Sequence, residues 1–195
     1  MVNYRTSQKP WVARILPGNY NQRMVDPFNC YAKLKGEADY LLHYSDWIIK
    51  HEDRWTDHFG FKAVELDRDV LLEEEPLLAL VNLYNPIARM GLLRVKPYNF
   101  YDWHVDEHRL SCINLLLSTE HHSHTLFGIQ YDHLNREILE LKYEPKRYYL
   151  FNNQVQHCVC NLDEDRYLFS IYFQEELRFK DVRKLLAEAE LIDEE

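Results

Sequence analysis

The chain has 195 residues, a formal net charge of −9 and an aromatic content of 14%. This length is enough for one domain that buries its core without disulfides or a structural metal, and the acidic balance argues against nonspecific binding to nucleic acid or anionic membranes. Fourteen tyrosines and only five glycines favour a strand-rich, well-packed protein over a disordered one.

The N-terminal stretch MVNYRTSQKPWVARILPGN has no continuous apolar core, because Pro10, Pro17 and Gly18 interrupt it, and it does not resemble a signal peptide. Residues 77–93 are the most apolar segment, but two asparagines, a proline and an arginine break it, so it cannot cross a bilayer as one helix. The four cysteines show no spacing typical of a secreted disulfide framework. We therefore expect a soluble, cytoplasmic protein without membrane contacts.

The first predicted element is a helix between Gly36 and Trp55. Apolar side chains recur there at three- and four-residue spacing, as in an amphipathic helix that covers a sheet. The acidic run from Asp67 to Glu75 indicates a solvated loop or a short helix. We expect residues 1–85 to form a helical N-terminal portion.

After Pro86 the pattern changes to short, aromatic and β-branched runs separated by turn residues, which is typical of antiparallel strands. Seven or more strands in such a short stretch predict a jelly-roll, cupin-like core over residues 86–176. A last amphipathic segment predicts a C-terminal helix within residues 177–195. The sequence thus predicts one mainly β domain with flanking helices (α+β). The strand-length runs are residues 90–97, 111–118, 124–132, 136–145, 147–153, 157–161 and 166–173.

The stretch DWHVDEHRLSCINLLLS, residues 102–118, carries the first candidate site residues. On a strand, alternate residues point to one face, so His104 and Asp106 would project side by side. His157 is a third candidate, at the start of a distant strand-like run that a jelly roll can bring alongside. Two imidazoles and one carboxylate suit Fe(II) and leave positions open for a co-substrate and dioxygen.

Arg166 opens the run RYLFSIYF nine residues after His157. Alternation places Arg166, Leu168, Ser170 and Tyr172 on one face of that strand. An arginine that leads an otherwise apolar strand needs a partner, and a carboxylate held by its planar fork is the natural one. Arg166 is therefore the candidate for binding a carboxylate co-substrate.

The HVD motif together with a histidine nine residues before an arginine resembles the iron- and 2-oxoglutarate-dependent oxygenases, from about Arg89 to Gln174. That family has a double-stranded β-helix with an HxD…H metal triad, and an arginine holds the distal carboxylate of 2-oxoglutarate. The resemblance implies that His104, Asp106 and His157 bind Fe(II) and carry the catalysis. It also implies 2-oxoglutarate and O2 as co-substrates in the hydroxylation of an unassigned prime substrate.

Weaker candidates surround these residues. The resemblance makes Ser170 a second ligand for 2-oxoglutarate, although many members carry this serine two residues after the arginine, where this chain has Leu168. Asn114 would donate to the co-substrate or make a buried cross-strand hydrogen bond. Three other cations of the β core are alternatives to Arg166 as the carboxylate ligand: Arg109, Lys142 and Arg147.

Two further groups resemble metal ligands. The HHSH run, residues 121–124, suits zinc or nickel but lies between two predicted strands and lacks a carboxylate, which favours a solvated hairpin loop. His157 with Cys158 and Cys160 resembles a soft-metal cluster. Alternation, however, puts the two cysteines on the face opposite His157.

Two other functional interpretations stay open at the level of sequence. A cupin-type metal enzyme would use the triad without 2-oxoglutarate, although Arg166 argues against it. A non-enzymatic jelly-roll module for binding or structure would contain the same charged residues as a polar network, and fold alone does not exclude it. No motif identified in the sequence indicates a prime substrate or an oligomeric state, while the acidic charge argues against a nucleic-acid partner.

Overall fold

The computed structural model describes residues 29–58, 60–118, 122–130 and 136–193. Residues 1–28, on which the predicted lack of a signal peptide rests, lie outside these ranges. The strands are β1 (Tyr31–Glu37), β2 (Thr56–His58), β3 (Phe61–Glu65), β4 (Ile87–Val95), β5 (Phe100–His104), β6 (Ser111–Leu116), β7 (Ser123–Gln130), β8 (Arg136–Leu141), β9 (Arg147–Asn152), β10 (His157–Asn161) and β11 (Arg166–Phe173). The α-helices are α1 (Tyr40–Ile49), α2 (Arg68–Glu74), α3 (Pro76–Tyr84) and α4 (Phe179–Glu188), and a short 3-10 helix covers Glu52–Arg54.

The strands form two sheets in which neighbouring strands pair antiparallel. The larger sheet has the order β1-β9-β6-β11-β4-β3-β2, and the smaller has the order β5-β10-β7-β8. Strands that are distant along the chain are neighbours in both sheets, for example β11 beside β4 and β10 beside β5. The predicted mainly β architecture with a jelly-roll core is confirmed.

The central strands of the large sheet are buried on both faces. In β6 all six residues are buried, although Ile113 and Leu115 pack in one core cluster and Cys112 and Leu116 in another. This explains why β6 lacks the polar alternation of a half-exposed strand. One cluster fills the space between the sheet and the helices, and the other fills part of the space between the two sheets.

On the helical side of the large sheet, the carboxylate of Glu75 is buried, with the residue only 1% exposed. Its Oε1 accepts hydrogen bonds from the backbone N–H groups of Leu41 (2.6 Å) and Asp39 (3.1 Å), and its Oε2 accepts one from the Tyr148 hydroxyl (3.3 Å). Glu75 thus satisfies donors at the start of α1 that would otherwise lack partners. The carboxylate ties α1 and the end of α2 to β9.

The first half of the described chain differs from the prediction. The helix predicted between Gly36 and Trp55 is shorter, because residues 31–37 pair with β9 and Gly36 adopts a φ of 96° before the chain turns into α1. Strands β1, β2 and β3 were not predicted. Of these, β2 is fully exposed and shows no apolar alternation. The acidic run from Asp67 forms the short helix α2, whose N-terminus the Asp67 carboxylate caps.

The second half agrees closely with the prediction. Each of the seven predicted runs coincides with an observed strand, and α4 lies where the C-terminal helix was expected. The last residues of the predicted run 124–132 lie outside the described residues. Among the described residues, no helix combines the length and apolarity needed to cross a bilayer.

Candidate metal centre

His104, Asp106 and His157 converge at one end of the small sheet. His104 is the last residue of β5, His157 is the first of β10, and the two are direct partners in the antiparallel register. The Asp106 Oδ1 lies 3.5 Å from His104 Nε2 and 3.8 Å from His157 Nε2. Asp106 itself lies beyond the end of β5, so a loop and not the expected strand alternation places it. One ligand atom from each residue lies within 4.8 Å of the others.

Backbone carbonyls fix the orientation of both imidazoles. His104 Nδ1 lies 2.6 Å from the Asp102 carbonyl oxygen, and His157 Nδ1 lies 2.9 Å from that of Val155. A carbonyl oxygen only accepts, so each Nδ1 must donate its hydrogen. In the neutral tautomer the lone pair is then on Nε2, which faces Asp106. This second hydrogen bond is typical of metal-binding histidines.

The Asp106 carboxylate is held through one oxygen and leaves the other free for the two histidines. Oδ2 accepts hydrogen bonds from Arg109 Nε (2.9 Å) and Asn153 Nδ2 (2.7 Å). The backbone is fixed as well, because Asp106 N–H donates to the Asn153 carbonyl (3.1 Å) and the Asp106 carbonyl accepts from Gln154 Nε2 (2.9 Å). The Asn153–Gln154 turn therefore sets the position of a residue far away in the sequence.

The electrostatics favour ligand forms that bind a cation. Burial alone would raise the pKa of Asp106, but hydrogen bonding to His104 and the charge of Arg109 hold that pKa well below its usual range. Burial lowers the pKa of His157 to about 4, so this imidazole is neutral at neutral pH. Burial would also lower the pKa of His104, but its hydrogen bond to Asp106 raises it. The site thus favours positive charge between His104 and Asp106, where a metal ion competes with a proton.

The triad lies on the wall of a cavity of about 740 Å³ between the two sheets. Aromatic rings make up much of its lining, among them Tyr101, whose ring centroid is 4.5 Å from that of His104. Trp103 packs directly over Gly128, where an added Cβ would lie 3.0 Å from the indole ring. Glycine at position 128 therefore lets the indole approach the backbone closely, and a larger residue would press against it beside the metal ligands.

Arg166 lies in the same cavity and is only 3% exposed. Its Nη2 donates to Thr125 Oγ1 (3.0 Å), while among the described residues its Nε has no hydrogen-bond partner and no carboxylate pairs with it. The hydroxyl of Tyr143, which also lines the cavity, lies close to Arg166 and Asn114 but makes no hydrogen bond of good geometry with the described residues. Burial lowers the pKa of Arg166, the expected cost of an incompletely paired cation. Such a group is suited to bind an anion that enters the cavity.

The weaker candidates for binding the co-substrate have different surroundings in the structure. Asn114 lines the cavity, and its Oδ1 accepts from the Cys112 thiol (3.4 Å). The Ser170 hydroxyl accepts from Arg109 Nη1 (3.0 Å) and supports the metal side of the cavity. Of the alternative carboxylate ligands, Arg109 lines the cavity, Lys142 is exposed, and Arg147 pairs with Asp193 at 2.6 Å.

The two competing metal groups do not assemble among the described residues. His122 pairs with Asp163 (2.6 Å) and His124 with Glu140 (2.5 Å), each as a separate surface contact. His121 lies outside the described residues. His104, Asp106 and His157 form the one group of three suitable ligands that the described part of the chain contains.

No sequence motif distinguishes Asn153, Thr125 or Tyr143, and Arg109 was predicted only as an alternative carboxylate ligand. Asn153 belongs to a turn, and its contact with Asp106 follows from how two loops meet, which no periodic pattern records. The polar residue in the apolar run HTLFGI was the one available signal for Thr125. Tyr143 had no distinguishing signal among fourteen tyrosines.

Comparison with protein-family models gives no match, and comparison with curated protein sequences gives none. Among solved structures, the chain is similar to a prolyl-4-hydroxylase from Pseudomonas putida, with 15% identity, a TM-score of 0.55, and coverage of 74% of this chain and 92% of that one. It is similar to HygX from Streptomyces hygroscopicus, solved with nickel and 2-oxoglutarate bound, with 10% identity, a TM-score of 0.54, and coverage of 74% and 82%. The epimerase SnoN from nogalamycin biosynthesis gives 14% identity, a TM-score of 0.52, and coverage of 74% and 78%.

At these identities the similarity concerns the fold. The chain has the fold of solved 2-oxoglutarate- and iron-dependent oxygenases, and the resemblance noted from the sequence is confirmed at that level. A hydroxylase and an epimerase share this fold, so the fold alone does not select the outcome of a reaction.

Proposed function

We propose that the chain is an oxygenase that uses Fe(II), 2-oxoglutarate and O2. The observation that carries the proposal is the combination, in one cavity, of a preformed His104–Asp106–His157 triad with the buried, incompletely paired guanidinium of Arg166. The first needs a cation and the second an anion. A metal ion held by the triad and a dicarboxylate held by Arg166 would satisfy both.

The donor set of the triad fits Fe(II). Two imidazole nitrogens and one carboxylate oxygen lie close together on the wall of a cavity that has room for small molecules. When bound, the iron supplies the activation of dioxygen that is coupled to decarboxylation of 2-oxoglutarate. The protein residues hold the ligand set in place, and Arg109 and Asn153 keep the Asp106 carboxylate oriented before any metal arrives.

We assign the co-substrate subsite to Arg166, Thr125 and Tyr143. The guanidinium of Arg166 neutralises the distal carboxylate of 2-oxoglutarate, and the Tyr143 hydroxyl is available to donate to it. Thr125 already bonds to Arg166 and so orients the guanidinium. We also assign to this subsite Asn114, which lines the same cavity.

The remaining cavity, toward the loop that follows β5, is assigned to the prime substrate. Tyr101 and Trp103 form part of its wall, with Val105 and His108 at the exposed rim. These side chains position the substrate beside the metal and exclude bulk water. We propose hydroxylation as the reaction, supported by the hydroxylase among the similar structures, with epimerisation as the alternative outcome that this fold supports elsewhere.

We further propose that residues 1–195 act as one domain and that the protein works in the cytoplasm. The four cysteines, all within the described ranges, are free thiols, as a reducing compartment would keep them. The net charge of −9 supports a small-molecule or protein substrate over a nucleic acid.

The proposal is tested by adding Fe(II) and then 2-oxoglutarate to the protein under anaerobic conditions. We expect stoichiometric iron binding and a weak visible charge-transfer band when 2-oxoglutarate is added. His104→Ala and His157→Ala should lose both signals with little change in circular dichroism. His124→Ala, which removes a surface histidine paired with Glu140, is the matched control and should retain both.

The outcomes separate the alternatives. Iron binding without a spectral response to 2-oxoglutarate would indicate a metal enzyme of the cupin type. The absence of iron binding by the wild-type protein would indicate a non-enzymatic jelly roll. A screen for substrate-stimulated succinate formation would then identify the prime substrate of a confirmed oxygenase.

A further inference from the structure

Arg109 connects the metal triad to the centre of the large sheet. Its Nε donates to Asp106 Oδ2 (2.9 Å), and its Nη1 donates to Ser170 Oγ (3.0 Å). Ser170 is buried on β11, which lies between β6 and β4 in the middle of the sheet. One side chain therefore joins a candidate metal ligand on a loop to a rigid strand.

The hydrogen bonds around Asp106 are unequal for its two carboxylate oxygens. Oδ2 accepts from both Arg109 Nε and Asn153 Nδ2, which uses its two lone-pair directions. Oδ1 faces the Nε2 atoms of the two histidines at 3.5 and 3.8 Å. A carboxylate can bind a metal through one oxygen or through both, and here one is already occupied.

We propose that Arg109 is a positioning residue that, together with Asn153, restricts Asp106 to binding the metal through Oδ1 alone. The inference rests on the metal site of the proposed function. A carboxylate that bound through both oxygens would occupy an additional ligand position at the metal. The hydrogen bonds to Oδ2 thus reserve that position for reactants.

The loop that carries Asp106 does not depend on the Arg109 side chain for its backbone position. Asp106 N–H donates to the Asn153 carbonyl (3.1 Å), and Leu110 N–H donates to Glu176 Oε2 (2.7 Å). The Tyr172 hydroxyl donates to the His108 carbonyl at 3.2 Å. A change at position 109 should therefore release the carboxylate to rotate while the loop stays in place.

Two substitutions isolate the hydrogen bond from the rest of the side chain. In Arg109→Gln the amide nitrogen occupies the position along the chain that Nε has in arginine, so a donor to Oδ2 is retained. In Arg109→Met a methyl group takes that position and no donor remains. Both variants lose the positive charge and the bond to Ser170, so they differ mainly in the donor to Asp106.

The test measures the affinity of each folded protein for Mn(II), without 2-oxoglutarate, and the visible absorption of the Co(II)-loaded protein, which reports the oxygen ligands. We expect Arg109→Met to bind Mn(II) about 10- to 100-fold more weakly than Arg109→Gln and to show an altered Co(II) spectrum. Arg109→Gln should retain the wild-type spectrum. Asn153→Ala removes the second donor and should change the spectrum in the same direction as Arg109→Met.

Equal affinities and equal spectra for the glutamine and methionine variants would overturn the inference, because the donor would then have no role. If the Arg109 variants lose stability but keep the wild-type Mn(II) affinity and Co(II) spectrum, Arg109 has only a structural role, and the inference is also overturned. The proposed function is judged separately by the response to 2-oxoglutarate. If 2-oxoglutarate gives no spectral change but the Arg109 variants behave as expected, the inference about Arg109 stands without the proposed function. If the wild-type protein binds no metal, the inference and the proposed function are both overturned.

Discussion

Glu75 and Arg166 are buried charges on opposite sides of the seven-stranded sheet. On the helical side, the Glu75 carboxylate accepts three hydrogen bonds and ties α1 to β9. On the side that faces the small sheet, Arg166 donates to Thr125, and its Nε has no partner among the described residues. Glu75 has its hydrogen-bond partners within the protein and stabilises the fold. Arg166 lies in a cavity with part of its guanidinium unpaired, and it is therefore available to bind a ligand.

Removing the unpaired charge gives the largest expected effect. Arg166→Met should retain Fe(II) but bind 2-oxoglutarate about thirty- to several-thousand-fold more weakly, since losing a buried charge-assisted contact costs roughly 2–5 kcal/mol. The free energy of unfolding should stay the same or rise, because a costly buried cation is gone. Lysine at this position should restore part of the affinity, as a point charge replaces a planar fork.

The measurement is a titration of 2-oxoglutarate into the anaerobic, iron-loaded protein. Lys142→Met, which removes an exposed cation outside the cavity, is the control and should bind as the wild type does. Wild-type affinity in Arg166→Met would remove Arg166 from the subsite. Loss of affinity in an Arg109 variant that keeps its metal would then move the assignment to that residue.

Two adjacent leucines on β4 test whether the two sides of the sheet differ in packing. Leu92 is 0% exposed and packs against the helices, while Leu93 is half-buried and lines the cavity. Leu92→Ala should lower the free energy of unfolding by about 2–5 kcal/mol, because it leaves a void in a closed core. Leu93→Ala should cost roughly 1 kcal/mol, because it enlarges an existing space. Urea unfolding of the metal-free protein measures both, and equal costs would contradict the distinction.

Glu75→Gln tests how much the hydrogen-bonded Glu75 carboxylate contributes to stability. The amide keeps one acceptor but loses the charge-assisted bonds, so we expect the free energy of unfolding to fall by about 1.5–3 kcal/mol with Mn(II) affinity unchanged. Glu74→Gln, at the exposed neighbouring position, should change stability by less than about 0.5 kcal/mol. A loss of metal affinity in Glu75→Gln would show that the two sides of the sheet are coupled.

Ser170→Ala should have the smallest effect and decides between two roles for that serine. It breaks the bond to Arg109 Nη1 and should cost about 0.5–1.5 kcal/mol in stability. The affinity for 2-oxoglutarate should stay within a few-fold of wild type. A much larger loss of that affinity, with metal binding intact, would instead support Ser170 as a co-substrate ligand.

The sequence predicted the second half of the fold well because its strands have a recognisable length and composition. Residues 147–152 and 166–173, for example, are strand-length runs rich in aromatic side chains, and both are strands. In the first half, β2 is exposed and β3 is short and mostly half-buried. β3 pairs with β4 and β2 pairs with β3, so their positions depend on this pairing and not on a local pattern. Tertiary pairing of this kind overrides local propensity.

The sequence predicted the three candidate metal ligands but not the residues that hold the Asp106 carboxylate in place. His104 and His157 carried a motif and a spacing, and the structure brings them together as partners across one ladder. The expectation that Asp106 shares a strand face with His104 was wrong, since β5 ends at His104. Loop contacts from Arg109 and Asn153 place the carboxylate instead, and such contacts have no periodicity to detect.

The pairing of His104 with His157 also bears on when the metal can be acquired. The chain between them forms β6, β7, β8 and β9, so the ladder that joins the two histidines closes a long loop, and we expect it to form late in folding. Nascent chains would present no complete site, and iron would load onto finished apoprotein. We expect iron-starved cells to accumulate folded, metal-free and inactive protein. Added Fe(II) should activate this protein within the time of mixing. Protein from iron-depleted cultures that requires refolding before activation would contradict this sequence of events.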